Sequence, residues 1–195
     1  MALLTRWARP LPLARSLLAL GCMALTGREL RAQAAPPASE QEVKAAYLFN
    51  FTRYVDWPAN AFDAPDAPVN LCVLGEGDFG EIVRQAVAGQ RSRGRLVRVL
   101  EPDEPSQAAD CHVAFLPSRP REARAWLQAL RRSATLTVGD GPDFLQRGGM
   151  IAFVTVNQTL RFEIDATAVR RAGLQISSRV LALATRVTEG PEAPR

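Results

Sequence analysis

The sequence predicts an α/β fold: a single domain with a mainly parallel sheet flanked by helices and an antiparallel C-terminal hairpin. The first observation behind this prediction is that short runs rich in valine, leucine and isoleucine alternate with helical stretches at the spacing of βαβ units. The second is that two apolar runs, residues 150–156 and 160–164, are joined by only three residues. A connection this short is typical of a hairpin.

Four strands are predicted before the hairpin. Each is a short apolar run bounded by turn-forming residues or by a helical stretch. They comprise residues 69–75, 94–100, 111–117 and 134–140.

The predicted helices fill the intervals between the strands. Gly89 and Gly173 each end a helix, because glycine adopts the left-handed conformation that closes helices, and Asp165 caps the start of another. The last helix begins at Ser177, with an apolar stripe of Val180, Leu183, Ala184 and Val187. The earlier helical spans are residues 40–57, 77–89, 121–130, a single turn at 142–149, and 166–173.

Both ends of the chain are predicted to lie outside the folded domain. Residues 1–34 resemble a Sec-type signal peptide, with early arginines, the apolar run SLLALGCMAL and the small-x-small pattern AQA. Cleavage near Ala34 would place the protein in the periplasm. Residues 35–39 are predicted to be a linker, 40–187 the domain and 188–195 a disordered tail.

Removal of the predicted signal peptide changes the charge of the protein. The full chain has a formal net charge of +4, but without residues 1–34 it retains 19 basic and 19 acidic residues. This neutral balance argues against binding to the phosphate backbone of nucleic acids. The lipobox-like sequence ALGC leaves a lipid anchor at Cys22 as an alternative to cleavage near Ala34.

The mature chain keeps two cysteines, Cys72 and Cys111. An even pair in an oxidising compartment predicts one disulfide. This bond would close a loop of about 40 residues and stabilise the fold by roughly 4 kcal/mol through loop entropy. The alternative is two buried thiols that do not meet. If the strands at 69–75 and 111–117 are neighbours, the cysteines would face each other across them.

A glycine-rich sequence, GEGDFG at residues 75–80, has the form of a dinucleotide-binding loop. It follows a predicted strand and opens a helix, with Glu101 at the expected distance. However, Glu76, Asp78 and Glu81 lie where a pyrophosphate would dock, and their carboxylates would repel it. The sequence therefore favours a tight turn with Asp78 as N-cap.

Other sites with chemical potential are sparse. His112 is the only histidine, which excludes a metal site built from several histidines, and it is interpreted as a packed or surface residue. No serine lies in a nucleophile elbow, and no motif pairs the acidic residues. The sequence predicts no catalytic residue, no metal site and no cofactor.

Five of the 13 aromatic residues are concentrated in residues 47–57. On a helical wheel the predicted core face consists of Val43, Tyr47, Phe51 and Tyr54, which span about 80°. Leu48 and Val55 widen this face on one side and Trp57 widens it on the other. Phe49 falls on the opposite side, together with Thr52. We therefore predict that Phe49, with Trp57 and Phe62 beyond the helix, contributes to a surface that contacts another protein.

Five segments together resemble the YfiR/HmsC family of periplasmic regulators. They are VKAAYLFNFTRYVDWP, LCVLGEGDFG, CHVAFLP, LTVGDGPDFLQRGGMIAFV and LRFEIDATAVRRAGLQISSRVLALA. The resemblance extends over residues 42–185, and it depends on the order and spacing of the segments rather than on any one of them.

The resemblance implies a non-enzymatic inhibitor that binds the periplasmic sensor part of an inner-membrane diguanylate cyclase and holds it inactive. In some systems an outer-membrane lipoprotein sequesters the inhibitor, which raises cyclic di-GMP and favours biofilm. Members can form homodimers and can be redox-sensitive. Cys72 and Cys111 match the family's cysteine positions. The second disulfide of one member type, near FLQRGGMIAF, has no counterpart in this chain.

Two other classes of function are compatible with the residues. One is a periplasmic small-molecule binding protein, with its pocket at the strand ends near Gly75–Gly80 and Gly139–Pro142. The other is a nucleotide-dependent oxidoreductase that uses GEGDFG.

Overall fold

The computed structural model describes residues 37–75, 77–116 and 119–189. The predicted signal peptide, Cys22, Glu76 and the tail from residue 190 onward lie outside the described residues. The helices are α1 (Glu40–Tyr54), α2 (Phe79–Val87), α3 (Pro120–Leu130), α4 (Asp143–Gln146), α5 (Ala166–Arg171) and α6 (Ser178–Leu181). The strands are β1 (Val55–Asp56), β2 (Val69–Val73), β3 (Arg91–Ser92), β4 (Arg95–Leu100), β5 (Val113–Phe115), β6 (Leu136–Asp140), β7 (Ile151–Val156), β8 (Thr159–Asp165), β9 (Gln175–Ile176) and β10 (Arg186–Thr188).

The described strands confirm the predicted fold class. Eight of them form one sheet in the order β10-β8-β7-β6-β5-β2-β4-β3. The neighbours from β4 to β7 are parallel, whereas β7 and β8 form the predicted antiparallel hairpin. Asn157 and Gln158 make its two-residue turn, both with positive φ. A second hairpin, β3–β4, turns at Arg93 and Gly94 and was not predicted.

Side chains from the two faces of the sheet enter two separate cores. In β2, Leu71 and Val73 belong to one core, whereas Cys72 and Leu74, just beyond the strand, belong to the other. This alternation follows from the period of two in a strand. Helices α1, α2 and α5 contribute to the first core, and α3 and α4 to the second. The sheet is therefore covered by helices on both faces.

Helix α1 begins with a capping box and ends three residues earlier than predicted. Ser39, predicted to lie in the linker, accepts a hydrogen bond from the backbone of Glu42, whose carboxylate accepts one from the backbone of Ser39. At the other end, Val55 and Asp56 pair with Ile176 and Gln175 as a two-stranded ribbon. This pairing takes the chain out of the helix before Trp57.

The predicted core face of α1 is partly wrong. The fully buried residues of the helix are Ala45, Leu48, Phe51 and Thr52. Thr52 was predicted on the outer face, yet its hydroxyl donates to the carbonyl of Phe49 and its own carbonyl accepts from the Ser92 hydroxyl. Phe49 is half-buried against the first core rather than exposed. The reason is that α1 packs against the sheet and also against α2 and α6, so more than one face is covered.

The predicted last helix is also wrong beyond its first turn. Ser177 does cap a helix, but α6 ends at Leu181, and residues 186–188 form β10 parallel to β8. Strand β8 has β7 as its partner on one side. Without β10 the backbone groups on its other side would be unpaired, and β10 forms hydrogen bonds with them. Thr188, predicted to start the disordered tail, lies in this strand. Leu183 consequently lies on the surface, 65% exposed.

The predicted disulfide is present. Cys72 in β2 and Cys111, two residues before β5, are bonded with a Cα–Cα distance of 5.7 Å. Both side chains are buried in the second core. Strand β5 is shorter than predicted, so Cys111 and His112 precede it. The bond therefore holds the start of β5 beside β2.

The disulfide makes a testable contribution to stability. The double variant Cys72→Ala, Cys111→Ala should lose about 2–5 kcal/mol in the free energy of unfolding, because the bond restricts the unfolded chain. Urea denaturation followed by circular dichroism measures this. The oxidised protein treated with a reductant should approach the variant, whereas the variant should not respond to reductant. Equal midpoints for oxidised protein and variant would contradict the prediction.

Candidate functional site

Two candidate sites lie at opposite ends of the parallel strands. At the amino-terminal ends of β2, β5 and β6, the imidazole of His112 lies beneath a loop that carries Trp57 and Phe62. At the carboxyl-terminal ends of the same strands, a crevice opens between α1, α2 and α3. Parallel pairing produces this arrangement, since all strand starts meet at one edge of the sheet and all strand ends meet at the other.

His112 is almost fully buried, and both of its ring nitrogens are hydrogen-bonded. Nδ1 accepts from the backbone N–H of Asn70 at 3.1 Å. Nε2 lies 2.9 Å from the carbonyl oxygen of Ala61, so it must carry the proton and donate it. The two bonds therefore select one neutral tautomer. One bond reaches β2 and the other reaches the loop before Phe62.

The aromatic residues of the loop pack around this imidazole. The ring of Phe62 stacks on His112 with centroids 4.4 Å apart, and the Arg95 guanidinium lies 4.0 Å from the centroid of Phe62. Trp57 meets the imidazole edge-on, and its Nε1 donates to the carbonyl of His112 at 3.2 Å. Trp57 and Phe62 remain half-exposed, and both His112 and the Arg95 guanidinium pack against the ring of Phe62.

The surroundings of His112 favour its neutral form. Burial is the main cause that lowers the pKa of His112 below its ordinary value, and the nearby charge of Arg95 lowers it further. The hydrogen bond to Ala61 and the carboxylates of Asp110 and Asp63 oppose this shift without reversing it. The interpretation of His112 as a packed residue is thus confirmed, and it is packed as a neutral hydrogen-bonded group.

The structure brings together two of the three predicted partner-binding residues. Trp57 and Phe62 both contact His112, whereas Phe49 lies within α1. In the described part of the chain, Phe49 has no ring contact with either of them, and its cationic neighbour is Arg53 at 5.9 Å. A role of these residues in partner binding stays a prediction.

The crevice lies where the direction of the strand order reverses. From β2 the chain passes through α2 to β4 on one side, and β5 then returns to the other side of β2. Ligands of open α/β sheets commonly bind at such a switch point. A cavity of about 290 Å³ is present there, with Phe79 and Phe115 as an apolar wall, their centroids 4.8 Å apart. A larger one of about 590 Å³ adjoins it across Gly75, Gly77, Arg119 and Glu122.

Charged side chains of both signs line this crevice. Lys44 of α1 is mostly buried and forms ion pairs of 2.8 Å with Asp140 and with Glu40. Burial alone would lower the pKa of Lys44, but the hydrogen bonds to Asp140 and Glu40 outweigh it and raise the pKa. Arg119 and Glu122, at the start of α3, are 3.1 Å apart and more exposed. The crevice therefore contains a buried cation, Lys44, that is held by two carboxylates. At its rim, the more exposed ion pair of Arg119 and Glu122 is accessible to a charged ligand.

The glycine-rich sequence has a structural explanation. The carboxylate of Glu101, at the end of a flexible side chain, occupies the space beside Gly80 that a Cβ would take. That carboxylate is paired with Arg84 of α2. Asp78 occupies the predicted N-cap position of α2, although its side chain makes no capping hydrogen bond. The third glycine thus accommodates a carboxylate of the protein, which favours the tight-turn interpretation.

Sequence reasoning missed several members of these sites. Nothing in the sequence indicated that Lys44, Asp140 and Arg119 converge, since they lie on three separate elements. The position of His112 beside Cys111 was a usable hint, because the disulfide fixes the residue next to it. Within the described ranges, no cluster of three or more potential metal ligands occurs. Likewise, none of the described helices has the length and hydrophobicity needed to cross a membrane.

Comparison with curated proteins gives no match. Among solved structures, a conserved domain protein from Vibrio cholerae O1 biovar El Tor is similar, with a TM-score of 0.54 and 12% identity. The similarity covers 77% of this chain and 60% of that protein, so this chain spans less than two thirds of its length. Identity this low shows the fold alone.

A second solved structure is less similar. The ABC domain from Streptococcus pneumonia in complex with L-Trp has a TM-score of 0.44 and 12% identity, over 62% of this chain and 55% of that one.

The family comparison is more informative. A family model described as YfiR/HmsC-like matches residues 41–185, well over half of the chain, and confirms the resemblance drawn from the sequence. Membership supports a regulatory role in cyclic di-GMP signalling. The chain belongs to the YfiR/HmsC-like family.

Proposed function

We propose that this protein is a periplasmic, non-enzymatic regulator that binds the sensor part of an inner-membrane diguanylate cyclase and holds it inactive. Inhibition would lower cyclic di-GMP and biofilm formation, and an outer-membrane lipoprotein would release the cyclase by sequestering the regulator. The observation that carries this proposal is the family match over residues 41–185. Thermodynamically, the regulator must bind the inactive state of the cyclase better than the active one.

The surface around Trp57 and Phe62 supports a role in protein binding. Aromatic residues and arginine are enriched in protein interfaces, and here Arg95 lies on the outer face of Phe62. A cavity of about 180 Å³, lined in part by Trp57, Phe62 and Arg95, has room for one side chain of a partner. Because His112 packs against both rings, they are ordered before a partner binds, which reduces the entropic cost of association.

The first test of the function is the cellular level of cyclic di-GMP in wild type, in a deletion strain and in the deletion strain complemented with the exported protein. The level should rise on deletion and fall on complementation. An unchanged level under several growth conditions would remove the support for a cyclase partner.

The proposed surface predicts the effect of single substitutions in the complemented strain. Trp57→Ala or Phe62→Ala should weaken inhibition, since loss of a central aromatic contact costs about 2 kcal/mol, roughly thirtyfold in affinity. Leu183→Ala is the matched control, because Leu183 is an exposed apolar residue that follows α6 and does not line the cavity beside Trp57. Immunoblots and melting temperatures separate loss of binding from loss of folded protein.

Phe49→Ala tests the remaining predicted residue separately. If Phe49 contacts the partner, its substitution should reduce inhibition beyond any loss of folded protein. A variant that is destabilised, but inhibits in proportion to its abundance, would assign Phe49 to the core alone.

The crevice supports a second candidate function, the binding of a small charged molecule. The specific observation is a cavity at the switch point with an apolar wall and with Lys44, Arg119, Glu122 and Asp140 around it. Ligand binding and partner binding are compatible, since the two sites lie at opposite ends of the strands.

Binding in the crevice predicts a difference between two neighbouring arginines. A ligand at 100 times its dissociation constant should stabilise the protein by about 2.7 kcal/mol. Arg119→Gln should reduce this gain, whereas Arg121→Gln, at an exposed residue of α3 outside the cavity lining, should not. Native mass spectrometry of the purified protein and thermal shifts with charged small molecules measure the effect. Equal responses of both variants would contradict a site in the crevice.

A further inference from the structure

We propose that His112 is a pH-sensitive clasp for the surface formed by Trp57 and Phe62, so that acidification releases Phe62, removes the ring contact of Trp57 and weakens partner binding. The inference about the partner rests on the proposed function, whereas the clasp itself stands on the contacts of the described residues.

The clasp depends on an acceptor that protonation removes. Nδ1 of His112 accepts from the N–H of Asn70, and Nε2 donates to the carbonyl of Ala61. A proton on Nδ1 would set two donors against each other at 3.1 Å. The Asn70 backbone N–H would lose its partner at a partly buried position, and such a loss costs free energy. The protonated ring therefore cannot keep its place.

The same ring positions the proposed surface. Phe62 stacks on it at 4.4 Å, and Trp57 contacts its edge. The hydrogen bond of Trp57 goes to the His112 backbone carbonyl and does not depend on the ring. Ala61, whose carbonyl receives the Nε2 proton, is the residue before Phe62. Displacement of the imidazole thus removes the support of Phe62 from two directions. Trp57 loses its edge contact at the same time.

The structure also offers the displaced ring a destination. A polar cavity of about 450 Å³ adjoins His112. The charged groups that line it are Asp63, Asp110 and Arg98. The two carboxylates would stabilise an imidazolium, and Arg98 would oppose it.

On the other side, Arg95 favours the neutral ring. Its guanidinium lies over Phe62 and donates to the carbonyls of Ala64 and Ala67, so it is fixed near the imidazole. Protonation gives the imidazole of His112 a positive charge. Arg95 then repels the ring, and Asp63 and Asp110 attract it.

The pH window follows from linkage. Burial lowers the pKa of folded His112 below the value near 6.5 of the unfolded chain. The unfolded and released states therefore bind the proton more readily than the clasped state. The contribution of the clasp is fully present above about pH 6.5 and is lost as the pH falls through the lower pKa of the clasped state. A partner that requires the clasped surface loses affinity in the same range, by up to about tenfold per pH unit for one linked proton.

The first measurement follows the clasp in the purified, untagged protein by NMR between pH 7.5 and pH 5. His112 is the only histidine, so its ring signals are unambiguous. The indole N–H signal of Trp57, assigned with Trp57→Phe, should shift with the same midpoint as His112. An indole signal of Trp57 that stays constant while His112 titrates would overturn the proposal. This measurement needs no variant of His112.

The second measurement uses His112→Asn, in which an amide oxygen can accept from Asn70 but cannot take a proton. The Trp57 signal should no longer respond to pH in this range. His112→Gln, with an amide nearer to the Ala61 carbonyl, serves if the first variant does not fold. Persistence of the wild-type pH response in a folded variant would assign it to another group.

The third measurement connects the clasp to inhibition. The ratio of cyclic di-GMP in the deletion strain to that in the complemented strain should fall several-fold from external pH 7.5 to 5.5 with wild type. It should stay constant with His112→Asn. A ratio near one at every pH would refute the proposed function, while the NMR titration would still decide the clasp. A wild-type ratio well above one and independent of pH would refute the coupling to partner binding.

Discussion

The pairing of β2 with β5 is the contact on which the rest of the structure depends. The two strands lie side by side in the sheet although about 40 residues separate them, and a parallel pair of this kind requires a long crossover. Leu71 and Val113 lie on the first core's face, while Cys72 and Ala114 lie on the second. The Cys72–Cys111 bond fixes this pairing at the start of β5. Both cores therefore meet at these two strands.

Both candidate sites follow from this one pairing. Strands β5 and β4 lie on opposite sides of β2 in the sheet. At the carboxyl ends of the strands this separates α2 from α3, and the crevice lies between them. At the amino ends, the approach of β5 to β2 brings the ring of His112 to the backbone of Asn70. Parallel pairing constrains only the geometry of the backbone. The chemistry at each end comes from side chains that the pairing places there.

Sequence patterns predicted the elements that local patterning determines. Apolar runs identified β2, β4, β6 and the β7–β8 hairpin, because the apolar pattern of each strand is contained in its own few residues. The α1 face and the last helix were mispredicted for a different reason: their outcome depends on distant partners. Thr52 is buried because the β3–β4 hairpin reaches its carbonyl, and Val187 joins a strand because the edge of β8 is open. Neither partner is visible within the local sequence.

The candidate site was predictable in its aromatic residues but not in the group that organises them. Trp57 and Phe62 attract attention because aromatic residues are scarce in this chain. His112 is noticeable as the only histidine, but its role depends on Asn70, Ala61 and Arg95, which are brought together only by the fold. A buried imidazole whose Nδ1 accepts from a backbone N–H keeps that bond only while the ring is neutral. An apolar side chain would support Phe62 at any pH, so the use of histidine makes the order of this surface depend on pH.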